Sequence, residues 1–199
     1  AMGRLALDLP ESQAQLATWK QQPGMKGVRL TFHREHHRRW LFDGTADWFW
    51  AAAERAKLPV MIYVPGSVAK VEGIAKRYPG LRIILDHLAL GVHAKGNLAF
   101  VELADVCRLA RFPNVAAKAS ALPCHTTQPY PFRDLHPHIR RVYDAFGPER
   151  MFWGTDWTRL PCTWREAVTL FTEELPWLSE SDKEWIMGRA TAEWLGWPT

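Results

Sequence analysis

Residues 150–157 read Arg-Met-Phe-Trp-Gly-Thr-Asp-Trp, an apolar run that ends abruptly in the carboxylate of Asp156. Such a run is typical of a buried strand, so Asp156 is predicted at the carboxyl end of that strand. A second run, at residues 82–85, ends in the same way with Asp86 and His87. Ionisable side chains at the carboxyl ends of parallel strands usually serve chemistry rather than packing. We therefore predict that His87 and Asp156 form a catalytic pair.

Strand-like and helix-like segments alternate along almost the whole chain. The predicted strands lie at residues 3–8, 27–31, 59–64, 81–86, 114–119 and 151–154. The predicted helices lie at residues 11–22, 45–57, 67–77, 98–110, 138–146, 164–174 and 182–195. The strands are continuous apolar runs, which is typical of parallel strands buried on both faces. The alternation indicates βαβ units in one α/β domain over residues 1–199, with no repeat or linker dividing it.

The composition argues against several classes of protein. Hydrophobic residues make up 47% of the 199 residues and charged residues 23%, a globular balance without a signature of disorder. The net charge of +4 is mild, and no recognised motif points to nucleic acid. No apolar run approaches the ~20 residues of a membrane span, and nothing at the N-terminus resembles a signal peptide. The three cysteines are odd in number and widely separated, so we expect a reducing, cytoplasmic environment.

Five motifs follow one another in a characteristic order. They are GVRL at 27–30, LPVMIY at 58–63, IILDHL at 83–88, PNVAAKAS at 113–120 and FGPERMFWGTDW at 146–157. This series resembles the amidohydrolase-related family of metal-dependent hydrolases and decarboxylases, and within it the 2-pyrone-4,6-dicarboxylate lactonases. The resemblance covers nearly the whole chain, and DHL and FGPERMFWGTDW are its specific motifs. It implies a TIM-barrel-like (β/α) fold, of which this chain carries about six of the eight parallel strands.

The resemblance also implies roles for individual residues. The family places a catalytic Asp at the end of its last strand, here Asp156, and an active-site His in the DH pair, here His87. Arg29 stands where lactonase-like members hold a substrate carboxylate, and Tyr63 occupies a position that faces the substrate. A divalent metal, zinc or manganese, is the implied cofactor, with His87 and Asp156 as its candidate ligands.

This sequence departs from the family at its N-terminal end. The family's opening strand carries an HxH pair, and no predicted strand of this chain has one. His136 and His138, which flank Pro137, fall at a helix start and are predicted to be structural. Judged by motif order, residues 3–8 correspond to the family's third strand. We therefore predict a barrel domain truncated at its N-terminus.

Each proposed site residue has a structural alternative. Asp156 is also suited to cap a helix, and His87 to be a buried histidine hydrogen-bonded to Asp86. Arg29 is also suited to an interior salt bridge, and packing is favoured over substrate contact for Tyr63.

Three further polar features invite metal or catalytic roles. Asp86 is predicted to orient His87 or its loop. Lys118 is predicted to pair with a carboxylate rather than to bridge metals as a carbamate. The His-Arg-Glu-His-His stretch at residues 33–37 is predicted to be a mobile loop at the barrel mouth.

Two classes of function stay open. The first is a hydrolase acting on a small carboxylated lactone, or a related cyclic substrate. In it, Asp156 activates water, His87 polarises the substrate and Arg29 holds a carboxylate. A non-oxidative decarboxylase is the alternative within the same family, because both reactions use the same strand-end groups.

The second class is a catalytically inactive, truncated barrel. An incomplete barrel has open strand edges and exposed apolar core, which must be paired, rearranged or covered by helices. We therefore expect a homo-oligomer formed through the open edges, with Trp-rich helices contributing.

Overall fold

The computed structural model of the protein describes residues 1–197 and contains one six-stranded parallel sheet. Each strand pairs with the strand that precedes it in the chain, in the order β1-β2-β3-β4-β5-β6. The strands are Met2–Gly3 (β1), Gly27–Thr31 (β2), Val60–Tyr63 (β3), Ile83–Leu85 (β4), Val115–Ser120 (β5) and Met151–Gly154 (β6). Sequential parallel pairing through helical crossovers is the topology of a (β/α) barrel. The predicted fold class, an incomplete barrel, is confirmed.

Helices follow each strand and extend beyond the last one. The α-helices are Ser12–Ala17 (α1), Glu35–Arg39 (α2), Asp47–Arg55 (α3), Val68–Arg77 (α4), Leu103–Arg108 (α5), His136–Phe146 (α6), Trp164–Thr172 (α7), Glu180–Glu184 (α8) and Ala190–Leu195 (α9). Short 3₁₀ helices occur at Trp19–Gln21, Asp86–Ala89, Gly96–Phe100, Leu109–Arg111, Leu122–Cys124, Arg133–Leu135, Pro148–Arg150 and Trp157–Arg159, and a π-helical turn at Trp185–Arg189. Residues 198 and 199, the last two of the predicted domain, lie outside the described residues.

The strand predicted at residues 3–8 is wrong beyond its first residue. Pairing with β2 stops at Gly3, which lies opposite Val28. Leu5 and Leu7 bury their side chains from an irregular segment, and the Leu7 carbonyl accepts a hydrogen bond from Trp48 Nε1 at 3.1 Å. The alternating leucines therefore reflect separate contacts with the core rather than strand pairing.

Several predicted helices also differ from the structure. The helix predicted at 98–110 is divided between two 3₁₀ helices and α5, and that at 182–195 is divided by the π-helical turn. The loop predicted at 33–37 is wrong for its last three residues, which lie in the short helix α2. The rings of His36 and His37 contact the buried Trp40, so this polar segment packs against the core through aromatic contacts.

The two faces of the sheet bury different side chains. The outer face packs under the helices and contributes alternate strand residues to the main core, among them Val28, Ile62 and Leu85. The inner face carries a smaller apolar cluster with Met61 and Ile84 at its centre. Because strand side chains alternate between faces, residues two positions further along each strand also point inward.

The C-terminal helices close the base of the barrel interior. Ala190 and Leu195 of α9 pack against the inner-face cluster, and the ring of Trp194 contacts Phe152 of β6, with centroids 5.8 Å apart. One of the expected ways of covering an incomplete barrel is therefore present at this end. Across residues 1–197, none of the helices has the length and hydropathy that a membrane crossing requires.

Gly27 at the start of β2 lies against the backbone that leads into β3, whereas Gly73 of α4 lies in open space. The two glycines therefore form a matched pair of test positions. A Cβ at Gly27 would lie 2.3 Å from the Pro59 carbonyl oxygen, whereas one at the exposed Gly73 of α4 meets no atom within 4 Å. We expect Gly27→Ala to lower the free energy of unfolding by about 1–3 kcal/mol, because backbone must move. Gly73→Ala should raise it by about 0.5–1 kcal/mol, because alanine favours the helix. Urea unfolding measures both, and equal effects would contradict this packing.

Candidate active site

The structure brings His87 and Asp156 together at the carboxyl end of the barrel. His87 follows β4, Asp156 follows β6, and His87 Nε2 lies 3.7 Å from Asp156 Oδ2. Both residues adopt left-handed backbone conformations, with φ of 51° and 55°, which turn the chain sharply after each strand. The predicted convergence is therefore observed, and the catalytic role of the pair stays a prediction.

Asp86 is the buried carboxylate around which the site is assembled. Its Oδ2 accepts a hydrogen bond from Arg29 Nε at 2.7 Å and lies 2.6 Å from Arg29 Nη2 in an ion pair, and its Oδ1 accepts a hydrogen bond from Lys118 Nζ at 3.0 Å. Burial alone would raise the pKa of Asp86, but the positive charges of Lys118 and Arg29 hold it below its ordinary value. Asp86 is therefore a carboxylate that only accepts hydrogen bonds.

Arg29 and Lys118, for which the sequence left alternative roles open, both pair with Asp86. Arg29 forms an interior salt bridge, one of its two predicted alternatives, and its role toward a substrate carboxylate stays a prediction. Lys118 pairs with a carboxylate rather than standing free. Its chain passes Gly154 so closely that a Cβ there would lie 3.0 Å from Lys118 Cε. The glycine of the Gly-Thr-Asp sequence thus makes room for this ion pair.

The His87 ring is almost completely enclosed, with 5% of the residue exposed. Its Nδ1 lies 2.7 Å from Ser120 Oγ, and its Nε2 lies 3.3 Å from both Asp86 Oδ2 and Arg29 Nη2. Burial lowers the pKa of His87 to about 4, against the opposing influence of Asp86. The imidazole is therefore neutral at pH 7.

A strained and buried loop carries His87. His87, Leu88 and Ala89 all have left-handed φ values, of 51°, 51° and 54°, at a cost of about 1–2 kcal/mol each. The side chains of Leu88 and Ala89 are buried, so packing holds this conformation. Tyr63 supports the same loop, because its hydroxyl donates to the Leu90 carbonyl at 2.7 Å.

Tyr63 itself is enclosed rather than open to a ligand. Its ring lies edge-on to His87, with centroids 5.4 Å apart, and burial raises its pKa to about 12. These contacts match the packing alternative, and contact with substrate stays a prediction.

Two residues of the site were not predicted from the sequence. Arg159 lies 3.7 Å from Asp156 through Nη1 and donates through Nη2 to the Val92 carbonyl at 2.6 Å, so it joins the loops after β4 and β6. Ser120 lies two positions beyond Lys118 on the inner face of β5. In the sequence, Ser120 could have been found from its two-residue spacing from Lys118, and Arg159 from its position one helical turn after Asp156.

The residues present do not by themselves fit the zinc or manganese ion that the resemblance implies. His87 and Asp156 supply two donors, whereas catalytic zinc sites use three protein ligands and a water. Across residues 1–197, no three His, Cys, Asp or Glu side chains are arranged to hold a metal. Arg29 Nη2, 3.3 Å from His87 Nε2, also places a cation beside the candidate ligand atom.

Comparison with known proteins identifies the family. The amidohydrolase family model matches residues 3–197, and the chain belongs to this family. An L-fucono-1,5-lactonase of Burkholderia ambifaria is 30% identical over 160 residues, which are 78% of this chain and 54% of that protein. The chain thus spans about half the length of the curated relative it matches.

Solved structures share the fold at lower identity. An amidohydrolase of Burkholderia multivorans with bound zinc superposes with a TM-score of 0.84 at 21% identity, covering 99% of this chain and 73% of that one. A Pseudomonas putida protein named for 2-pyrone-4,6-dicarboxylic acid hydrolysis gives 0.68 at 20% identity, covering 100% and 72%. The resemblance inferred from the motifs is confirmed.

Asp86 should be the most sensitive polar position for stability. We expect Asp86→Asn to lower the free energy of unfolding by about 3 kcal/mol at pH 7, because Arg29 and Lys118 lose their partner. Since the folded-state pKa of Asp86 is depressed, its stabilisation is complete above the ordinary value of 3.8 and is lost as the pH falls through the lower folded-state value. The difference between the two proteins should therefore shrink in acid.

Denaturant unfolding at several pH values measures this difference. Asp144→Asn is the matched control, because Asp144 pairs with Arg140 on the exposed surface of α6 and should change stability by less than about 0.5 kcal/mol. Equal effects of the two substitutions would contradict the central position of Asp86.

Proposed function

We propose that this chain is a hydrolase acting on a small carboxylated lactone or a related cyclic ester. The observation that carries the proposal is the 3.7 Å approach of His87 Nε2 to Asp156 Oδ2 at the carboxyl end of the barrel. Its family membership and the lactone-hydrolysing names of its relatives support the same reaction type.

In the proposed mechanism, Asp156 is the general base. Its side chain is 27% exposed, so a water molecule can reach the carboxylate from the barrel mouth. Asp156 takes a proton as the water oxygen bonds to the lactone carbonyl carbon. The ring C–O bond then breaks, and the proton passes from Asp156 to the departing ring oxygen. The product is a hydroxy acid.

His87 and the nearby cations assist this step. The neutral imidazole lies beside Asp156, where it can polarise the lactone carbonyl. Arg29, Lys118 and Arg159 bring three positive charges to the two negative charges of Asp86 and Asp156. This excess of positive charge favours a substrate that carries its own carboxylate.

Two lactones of different charge test the proposal. We expect the protein to hydrolyse 2-pyrone-4,6-dicarboxylate with a higher kcat/KM than the uncharged L-fucono-1,5-lactone, as followed by absorbance or by proton release. Asp156→Asn should lower kcat by about 100-fold or more, because the general base is lost.

Asp144→Asn, on the exposed surface of α6, is the control and should retain full activity. Hydrolysis that prefers the uncharged lactone would overturn the carboxylate preference alone. If neither lactone is hydrolysed, or if Asp156→Asn is as active as the parent, the hydrolase proposal is wrong and the inactive barrel is favoured.

A second proposal concerns association between copies of the chain. Within the described residues, β6 pairs only with β5, so its other side is an edge of the sheet. Trp157 and Trp164 lie near this edge, are 57% and 51% exposed, and contact one another with ring centroids 5.7 Å apart. We propose that two copies associate through this edge, because large exposed aromatics beside an open strand favour association.

Sedimentation velocity tests the association. We expect a dimer at micromolar concentration, converted to monomer by the double substitution Trp157→Ser and Trp164→Ser. Trp197→Ser is the matched control, because Trp197 is 50% exposed but lies beyond α9. A monomeric parent protein, or equal dissociation by the control, would contradict the proposal.

A further inference from the structure

A cavity lies beside the candidate site, where the chain after β1 separates from β2. Pairing of β1 with β2 ends at Gly3, and residues 4–6 continue without strand pairing. The cavity between this segment, the end of β2 and α2 has a volume of about 320 Å³. Its lining includes Arg4, Arg29, His37 and Trp40 and contains no acidic residue. A cavity of this size is large enough for a small organic ligand.

Arg29 joins this cavity to the candidate site, but one edge of its guanidinium group is already occupied. Nε lies 2.7 Å and Nη2 lies 2.6 Å from Asp86 Oδ2, and Nη2 also lies 3.3 Å from His87 Nε2. A carboxylate is held most strongly when it accepts two parallel N–H groups from one guanidinium. Within the described part of the chain, only Nη1 of Arg29 has no such contact, so Arg29 is poorly suited to hold a second carboxylate.

Arg4, in contrast, has a guanidinium group without an ionic partner. It lines the same cavity and is exposed, and across residues 1–197 it takes part in no salt bridge. Both arginines border one cavity, where two like charges repel each other unless an anion lies between or beside them. Arg4 is therefore the lining residue that has a free edge for a carboxylate.

The surroundings of the cavity are positively charged. Burial lowers the pKa of His33, and the charges of Arg29 and Arg4 lower it further. Burial also lowers the pKa of His37; Asp8 opposes this shift but does not line the cavity. His37 Nδ1 is buried and has no hydrogen-bond partner among residues 1–197. Buried polar atoms are nearly always paired, so this one indicates that a polar group of a ligand or a water belongs beside it.

The remaining walls of the cavity are mostly apolar. Leu5, Leu30, Phe32 and Trp40 all line it and are buried. An inorganic anion would leave these side chains without a partner, whereas an organic acid would pack against them and place its carboxylate beside the arginines. The lining therefore favours a carboxylate attached to an apolar ring or chain.

We propose that Arg4, rather than Arg29, holds the carboxylate of the substrate in this cavity beside the candidate site. Arg4 donates two N–H groups to the carboxylate, while Arg29 stays paired with Asp86. This inference deepens the proposed function, on which its meaning for catalysis rests. It makes Arg4 the residue that selects charged over uncharged substrates.

Binding of a ligand that cannot be hydrolysed tests the cavity independently of activity. Isophthalate has two carboxylates on an apolar ring, and isophthalamide is its uncharged counterpart of the same shape. By isothermal titration calorimetry, the parent protein should bind isophthalate at least about 10-fold more tightly than isophthalamide. Arg4→Gln should remove this difference and fold as stably as the parent, because Arg4 is exposed and has no salt bridge to lose.

Arg55→Gln is the matched control. Arg55 is also an exposed arginine without a salt bridge among residues 1–197, and it ends α3 on the side that leads to the amino end of β3, away from the cavity. A parent protein that binds both ligands equally overturns the inference. Isophthalate binding that survives Arg4→Gln, or that Arg55→Gln weakens equally, also overturns it.

Kinetics then show whether the cavity serves the proposed reaction. Arg4→Gln should raise KM for 2-pyrone-4,6-dicarboxylate by about 10-fold and leave kcat within about twofold, because a contact made equally in ground state and transition state is lost. KM for L-fucono-1,5-lactone should not change. If KM rises equally for both lactones, Arg4 only supports packing, and if the preference for the charged lactone is retained, Arg29 holds the carboxylate; either result makes the inference wrong.

Failure of this inference is distinguishable from failure of the proposed function. Isophthalate binding that depends on Arg4, in a protein that hydrolyses no lactone, supports the cavity and rejects the hydrolase. Lactone hydrolysis by a protein whose isophthalate binding is unchanged in Arg4→Gln does the reverse.

Discussion

The ion cluster around Asp86 is the constraint on which the rest of the site depends. A fully buried carboxylate is tolerated because Arg29 from β2 and Lys118 from β5 both bond to it. These two strands flank β3 and β4, so the cluster ties together the inner face of four consecutive strands. His87 lies against this fixed charge and Asp156 lies beside His87. The neutral state of His87 follows from its burial, which outweighs the opposing influence of Asp86.

Much of the fold could be predicted from sequence because both faces of a barrel strand are buried. Continuous apolar runs located β2 to β6 within a few residues, and the charged residues after β4 and β6 marked the end of the barrel where the site lies. The prediction was wrong at residues 4–8, because Leu5 and Leu7 have the spacing of a strand but contact the core without pairing. Periodicity reports burial, and burial does not require a partner strand.

The partners of the site residues could not be predicted in the same way. Which carboxylate meets Lys118, and that Ser120 meets His87, depends on the register of β4 against β5 and on the turn after β4. Arg159 reaches Asp156 only because residues 157–159 form a short helical turn after β6. A single sequence holds the identity of these side chains, but their distances arise from three-dimensional packing.

The left-handed turn after β4 makes the position of His87 depend on the packing of the core beneath it. Three successive residues have an unfavourable left-handed backbone conformation, and the packing of their buried side chains keeps it from relaxing. A cavity made beneath Leu88 would let the peptide unwind locally, and the imidazole would move away from Ser120, Arg29 and the two carboxylates while the remainder of the molecule stayed folded. The position of His87 is thus more sensitive to packing than the stability of the whole molecule, and a core substitution beneath Leu88 would displace the imidazole without unfolding the protein.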